Sequence, residues 1–433
     1  MRTNKIPLLL FLGWFFLACK TQQRQGTLKN QNTASPLVSY MIEKEQDLDV
    51  LLKEIGEARI VLLGESSHGT AEYYNWRAAI SKRLISEKGF RLIAVEGDHI
   101  DLHRVNEFIK KENRDSGLLR LLLNFNRWPQ WLWANMEFSA FIHWVKKYNQ
   151  SIPAAKGINF YGLDVFNFSS ALNELSIVLH DTVGLRQVKS AQDCFSPYGN
   201  DALNYSTAVS KPYADCKTQA YNLWQWVQKA IGEKINSERD LLILQHASVV
   251  LNGEQYFRTR NRDQAASWNA RVWHMQQTIR RLLNFYGRGS KIIVWAHNTH
   301  AGDAHYTDMP TRQRTNIGEL LRKEYGEKNV FIMGFGSYTG EIIGGYTWGA
   351  SFSKIKIRPA KEGSWEYLLH HNGANNKIVF SKDIFKQPGF NKWIEQRAIG
   401  VVYSETYIPS IIPRRYDAFI YFDSTHAVTP IKK

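Results

Sequence analysis

Short apolar runs alternate with longer amphipathic stretches along this chain, and four of those runs end on residues able to do chemistry. Ile60-Val61-Leu62-Leu63 leads into Gly64-Glu65-Ser66-Ser67-His68, and Leu92-Ile93-Ala94-Val95 ends at Glu96. Phe160-Tyr161-Gly162-Leu163 ends at Asp164, and Ile292-Ile293-Val294-Trp295-Ala296 ends at His297-Asn298-Thr299-His300. Apolar runs this short, bounded by turn residues, read as buried strands. Between them, Leu48, Leu51, Leu52 and Ile55 have helical spacing with Gly56 as the stop, and Ala71 to Lys88 is a helix ended by Gly89. Further helices are expected over His99 to Lys111 and around Phe138, Phe141, Ile142 and Val145. This β, α, β order favours a parallel sheet.

From about 191 to 284 the pattern becomes helical throughout, with Leu241-Leu242-Ile243-Leu244 and the stretch Trp268 to Phe285. Strand-like runs resume at Lys291 to Ala296, Val330 to Gly334, Lys377 to Phe380, Gly400 to Tyr403 and Phe419 to Phe422. The expected architecture is therefore α/β, a mainly parallel sheet flanked by helices, with a helical insertion or lobe. Four strand ends in one open sheet face the same crevice, where such folds bind ligands.

The beginning of the chain changes where that fold starts. Arg2 and Lys5 precede an apolar stretch, Ile6 to Ala18, and Leu17-Ala18-Cys19 has the form of a bacterial lipoprotein cleavage box. The order of regions is that of a signal peptide and the stretch is short for a span. An uncleaved anchor is the alternative. We expect residues 1–18 to be removed and Cys19 to carry lipid, which attaches the protein to a membrane in the cell envelope. Residues 19–38 then form a polar tether, and the folded domain occupies 39–433.

Removing residues 1–18 takes away Arg2 and Lys5 and lowers the formal charge from +15 to +13. Such basicity attracts anionic lipid or polysaccharide, or is simply a solvated surface. Without a concentrated Lys/Arg block or a binding motif, nucleic acid is not an expected partner. An exported protein can keep Cys194 and Cys216 oxidised as a pair, closing a loop of about 20 residues that contributes on the order of 3 kcal/mol; two unpaired thiols are the alternative.

Ester hydrolysis fits the residues at the strand ends. It needs a nucleophile, a proton acceptor near neutral pH and a group to stabilise the oxyanion. The Gly-x-Ser-x-Gly elbow is absent around both Ser66 and Ser337. An activated water is the simpler nucleophile. His68 is the candidate base, with Glu65 and Glu96 available to orient it or to hold the water. His297 and His300 are candidate donors to the oxyanion or leaving alkoxide. Asp164 reads either as support for the site or as a helix N-cap. Trp128, Trp131 and Trp133 read either as cleft walls or as core. The histidines and carboxylates also permit a metal site, although no His-Glu-x-x-His is present.

These segments, together with Arg127-Trp128-Pro129-Gln130-Trp131-Leu132-Trp133, Arg262-Asp263 and Arg415-Tyr416-Asp417-Ala418-Phe419, resemble the erythromycin esterase family in order and spacing from about Leu48 to Thr425. The resemblance implies hydrolysis of a macrolide lactone or related ester, without a metal or other cofactor. It makes Glu65, His68, Arg77, Glu96, His297 and His300 the site residues. Arg77 then fixes a glutamate or binds the oxyanion; apart from the resemblance it reads equally as a surface ion pair. A hydrolase of another envelope or polysaccharide ester, and a lipoprotein binding metal or haem through its histidines, are the competing readings.

Overall fold

The computed structural model describes residues 37–111, 117–125, 127–199, 201–209, 215–232 and 234–432. The expected signal peptide, Cys19 and the tether before residue 37 lie outside the described residues. Strands β1 (Tyr40–Met41), β2 (Ile60–Leu63), β3 (Leu92–Asp98), β4 (Asn159–Asp164), β5 (Ile292–Trp295), β6 (Val330–Gly344), β7 (Ser353–Ile357), β8 (Lys377–Phe380) and β11 (Ala418–Thr425) share one sheet. Its order is β1-β8-β11-β6-β2-β5-β3-β4, with β7 added to β6. Pairing is parallel from β11 through to β4 and antiparallel for β1, β7 and β8.

Successive residues of the central strands face opposite sides, and both sides are buried, which is why the strands read as unbroken apolar runs. Val61, Leu63, Ile93, Val95, Ile293 and Trp295 enter one core. Ile60, Leu62, Leu92, Ala94, Ile292 and Val294 enter the other. The first core is covered by helices α1 (Asp49–Ile55), α2 (Ala71–Lys88), α3 (His99–Lys110), α4 (Leu118–Leu123) and α5 (Met136–Gln150). Helix α2 has the expected bounds and ends on Gly89 at φ 72°, where the absence of a Cβ removes the steric penalty.

Between β4 and β5 run helices α6 (Phe168–Val178), α7 (Thr182–Phe195), α8 (Ala202–Ala208), α9 (Lys217–Ile231), α10 (Glu238–Thr259) and α11 (Gln264–Tyr286). Most of them enclose a core of their own around Phe168, Phe195, Leu223 and Val250. This helical lobe begins at Phe168, ahead of the expected start near 191, because α6 already packs into it. Cys194 and Cys216 form a disulfide that ties the end of α7 to the start of α9. The chain between them is not wholly irregular, since it includes α8.

Two strand expectations change. Residues 400–403 form no strand; a separate antiparallel pair, β9 (Ile394–Arg397) and β10 (Tyr407–Ser410), flanks them. Strand β6 continues ten residues past Gly334, to Gly344, because its far half gains a partner in β7 that the sequence pattern did not reveal. Among the described residues no helix is long and apolar enough to cross a membrane.

Candidate active site

The strands that carry the predicted residues are neighbours, β2, β5, β3 and β4, and their carboxyl ends open into one cavity of about 700 Å³. Its floor includes His68, Glu96, Asp164, His297 and His300, and its walls include Tyr256, Phe257 and Arg260 from α10. The tight turn after β2 depends on Gly64, where any Cβ would collide with the side chain of Asn298. Asn298 in turn bonds Phe335 of β6 through both its amide atoms, and its backbone N–H donates to the Glu65 carbonyl at 2.8 Å. The turns after β2 and β5 are thus fixed to each other.

Glu65 sits beneath His68. Its Oε1 lies 2.8 Å from His68 Nδ1, and its Oε2 accepts from Arg77 at 2.9 Å. Arg77 is completely buried in α2, so the surface ion-pair reading is replaced by one in which it clamps Glu65. Its guanidinium also lies over the rings of Tyr74 and Trp295. Burial pushes the Glu65 carboxyl up, but the charges of Arg77 and His68 outweigh it and hold the carboxyl low. Burial pushes His68 down, yet the charge and hydrogen bond of Glu65, with the charge of Glu96, leave it raised. With Nδ1–H donated to Glu65, Nε2 keeps its lone pair, and it has no protein partner among the described residues.

Glu96 falls where the register between β3 and β4 shifts, an irregularity that re-aims side chains beside many active sites. It does not touch the His68 ring nitrogens. Instead its Oε2 accepts from the His297 backbone N–H at 2.7 Å and its Oε1 from Arg271 at 2.8 Å. Burial raises its carboxyl, but His300 and Arg271 outweigh this and hold it well below the usual range. Arg271, from α11, also donates to both oxygens of Asp164 at 2.5 and 3.0 Å and to His300 Nε2 at 2.8 Å. Asp164 is therefore support for the site and not a helix cap; Asn167 caps α6.

The expectation that His297 and His300 donate to a substrate oxygen is not met by their geometry. His297 Nδ1 accepts from Thr299, and Nε2 lies 3.2 Å from the Ile399 carbonyl, so both nitrogens are engaged. His300 receives Arg271 on Nε2, and its remaining nitrogen is buried without a partner. Burial, reinforced at His297 by His68, pushes His297 down to about 4 and His300 to about 3. Both are neutral rings at pH 7. His297 packs 5.0 Å from His68, and His300 stacks on Trp268.

Neither serine is poised as a nucleophile, since Ser66 and Ser337 both bond the buried Tyr73 hydroxyl. The tryptophans divide: Trp128 lines the cavity and packs against Trp348 with the ring planes tilted by 57°, while Trp131 and Trp133 are core. Among the described residues no group of three or more His, Cys, Asp or Glu side chains is placed to hold a metal ion. Arg271 was missed from the sequence because an arginine in the middle of a long helix carries no motif. The other additions, Phe166, Trp268 and Arg260, gave no signal either.

The erythromycin esterase family model matches residues 85–425. The chain is 23% identical over 369 residues to erythromycin esterase type II of Escherichia coli, covering 78% of this chain and 84% of that protein. Among solved structures, a succinoglycan biosynthesis protein superposes with a TM-score of 0.73 at 20% identity, over 91% of this chain and 96% of that one. A Bacillus cereus protein gives 0.72 at 18% identity, over 92% and 97%. A histidine-to-asparagine mutant of the erythromycin esterase EreC, in its open conformation, gives 0.69 at 16% identity, over 90% and 97%.

Proposed function

The chain belongs to the erythromycin esterase family, which makes it a hydrolase of esters, and from that premise we propose that it opens a macrolide lactone with water activated by His68. The observation that carries the mechanism is the buried chain Arg77, Glu65, His68, which ends at the cavity in an imidazole nitrogen with no protein partner among the described residues. Glu65 fixes the tautomer and Arg77 fixes Glu65; both are positioning residues. Nε2 of His68 takes a proton from water as the hydroxide attacks the carbonyl carbon, and returns it to the departing alkoxide.

The oxyanion donor in this reading is Arg271. A guanidinium has five N–H bonds. Four of those on Arg271 go to Asp164, Glu96 and His300, which leaves one on its NH1 nitrogen, and the residue lines the cavity. A donor already held by its neighbours stabilises developing charge without reorganising. The cavity volume suits a large ligand, and its aromatic walls, Trp128, Phe166, Tyr256 and Trp268, suit an apolar one.

The similarity to a succinoglycan biosynthesis protein favours a second reading, an ester carried on a polysaccharide. Mass spectrometry of erythromycin incubated with the wild type and with His68→Ala separates the two. A product heavier by one water, formed by the wild type alone, supports the macrolide reading. Hydrolysis of simpler esters without that product removes the macrolide and leaves the hydrolase.

A further inference from the structure

The cavity that contains His68 is lined by three arginines, Arg127, Arg260 and Arg271, and three carboxylates, Glu96, Asp164 and Asp201. Five of these six are satisfied within the protein. Arg127 donates to Asp98 at 2.5 Å, and Arg271 is shared by Glu96 and Asp164. Asp201 accepts the backbone N–H groups of Leu203 and Asn204 at 2.8 Å, at the start of α8. The guanidinium of Arg260 has no hydrogen bond, ion pair or ring contact among the described residues. It is half-buried, directly after the last residue of α10, one turn beyond Tyr256, which lines the same cavity.

Among the described residues Arg260 is therefore the cavity-lining charged side chain left without a partner, while Asp201 keeps its charge but is held by two backbone N–H groups. A planar guanidinium that keeps its charge at every working pH matches a carboxylate or phosphate geometrically, with two parallel N–H donors. The same group repels a protonated amine, so it selects by attraction and by rejection. The formal charge of the chain, +15 in full and +13 without residues 1–18, adds a long-range field of the same sign.

We propose that Arg260 is a specificity-determining residue and that the physiological ester bears an anionic group, a carboxylate or its equivalent, on the part of the molecule that reaches α10. The proposal rests on the hydrolase reading and refines it. The lobe supplies the wall that reads the substrate, while the sheet edge supplies the chemistry.

Two 4-nitrophenyl esters of the same chain length test it: the neutral hexanoate and the adipate monoester, which differ by a terminal carboxylate. The wild type is expected to show a kcat/KM about tenfold higher for the adipate, equivalent to ~1.4 kcal/mol, mostly through KM and weakened by salt. The ratio should collapse to about one in Arg260→Ala, persist in part in Arg260→Lys and invert in Arg260→Glu. Equal rates for the two esters in the wild type, or a preference that survives Arg260→Ala, overturn the proposal. Loss of hexanoate turnover in His68→Ala tests the hydrolase reading separately. Should neither ester turn over, calorimetric titration with monomethyl adipate still decides: binding by the wild type that is lost in Arg260→Ala supports the anionic subsite, and equal or absent binding overturns it.

Discussion

Replacing Glu65 with glutamine keeps the shape of the side chain but exchanges one carboxylate oxygen for an NH₂ group and removes the negative charge. Arginine only donates, so the new carbonyl oxygen must take the position of Oε2 facing Arg77, where the native bond is 2.9 Å. The new NH₂ then occupies the position of Oε1, 2.8 Å from His68 Nδ1. A donor there turns Nδ1 into the acceptor and moves the ring proton to Nε2. The nitrogen facing the cavity loses the lone pair on which the mechanism depends. A wrong tautomer of this kind lowers kcat by about 10⁴ in the serine protease triad, and Glu65→Gln should lower turnover by roughly 10³ to 10⁴.

The pH profile provides the check. His68 must be neutral to act, and its pKa is raised: burial pushes it down, but Glu65, joined by Glu96, outweighs burial. Wild-type kcat/KM should therefore rise with pH through a midpoint above the ordinary histidine value of about 6.5. Glu65→Gln should lose that limb along with the rate. Arg77, fully buried, also loses its countercharge, which costs on the order of 3–5 kcal/mol of stability in chemical denaturation. A folded Glu65→Gln enzyme that keeps a tenth of wild-type turnover, or the same pH midpoint, would refute the assignment of Glu65 and His68.

Arg271→Lys keeps a charge but not four directed N–H bonds; we expect kcat to fall about 10²-fold or more with a smaller change in KM, and an unchanged kcat would remove Arg271 from the oxyanion role. Burial pushes His246 and His274 down to about 3, so between pH 3 and 6.5 the unfolded chain binds more protons than the folded one. Stability should thus be intact above pH 6.5 and fall as pH drops below it, by ~1.4 kcal/mol per pH unit per histidine, and His246→Leu should shallow the slope by about one proton; a flat denaturation midpoint from pH 6.5 to 5 contradicts this. Activity should survive exhaustive dialysis against a strong chelator, whereas loss restored by zinc would make hydrolysis metal-assisted. Cys19→Ala should abolish lipid attachment, and an unchanged mass and membrane partition would make the apparent cleavage box accidental.

What the sequence showed and what it hid divide along a physical line. His68 after β2, Glu96 within β3 and His297 after β5 were readable because strand runs are local patterns and a parallel sheet gathers their ends. The roles of the same residues were not local. His297 lost its donor role to the Ile399 carbonyl, 102 residues away, and Glu96 is tied to Arg271, 175 residues away. Arg77 read equally as a surface ion pair because helical spacing says which side a residue faces only when the neighbouring pattern is amphipathic. Around it, Tyr73, Tyr74, Ala78 and Ile80 are all buried, so α2 is covered on most sides and its pattern is blurred. Partner choice is decided when the lobe meets the sheet, and that event brings both Arg271 and Arg260 to the cavity. The two arginines come from adjacent helices, so a single displacement of the lobe would remove an oxyanion donor and the anionic subsite together. Chemistry and selectivity should accordingly fail in concert in any variant that loosens the α10–α11 pair, while Arg77, Glu65 and His68, held within the sheet and its covering helix, stay assembled.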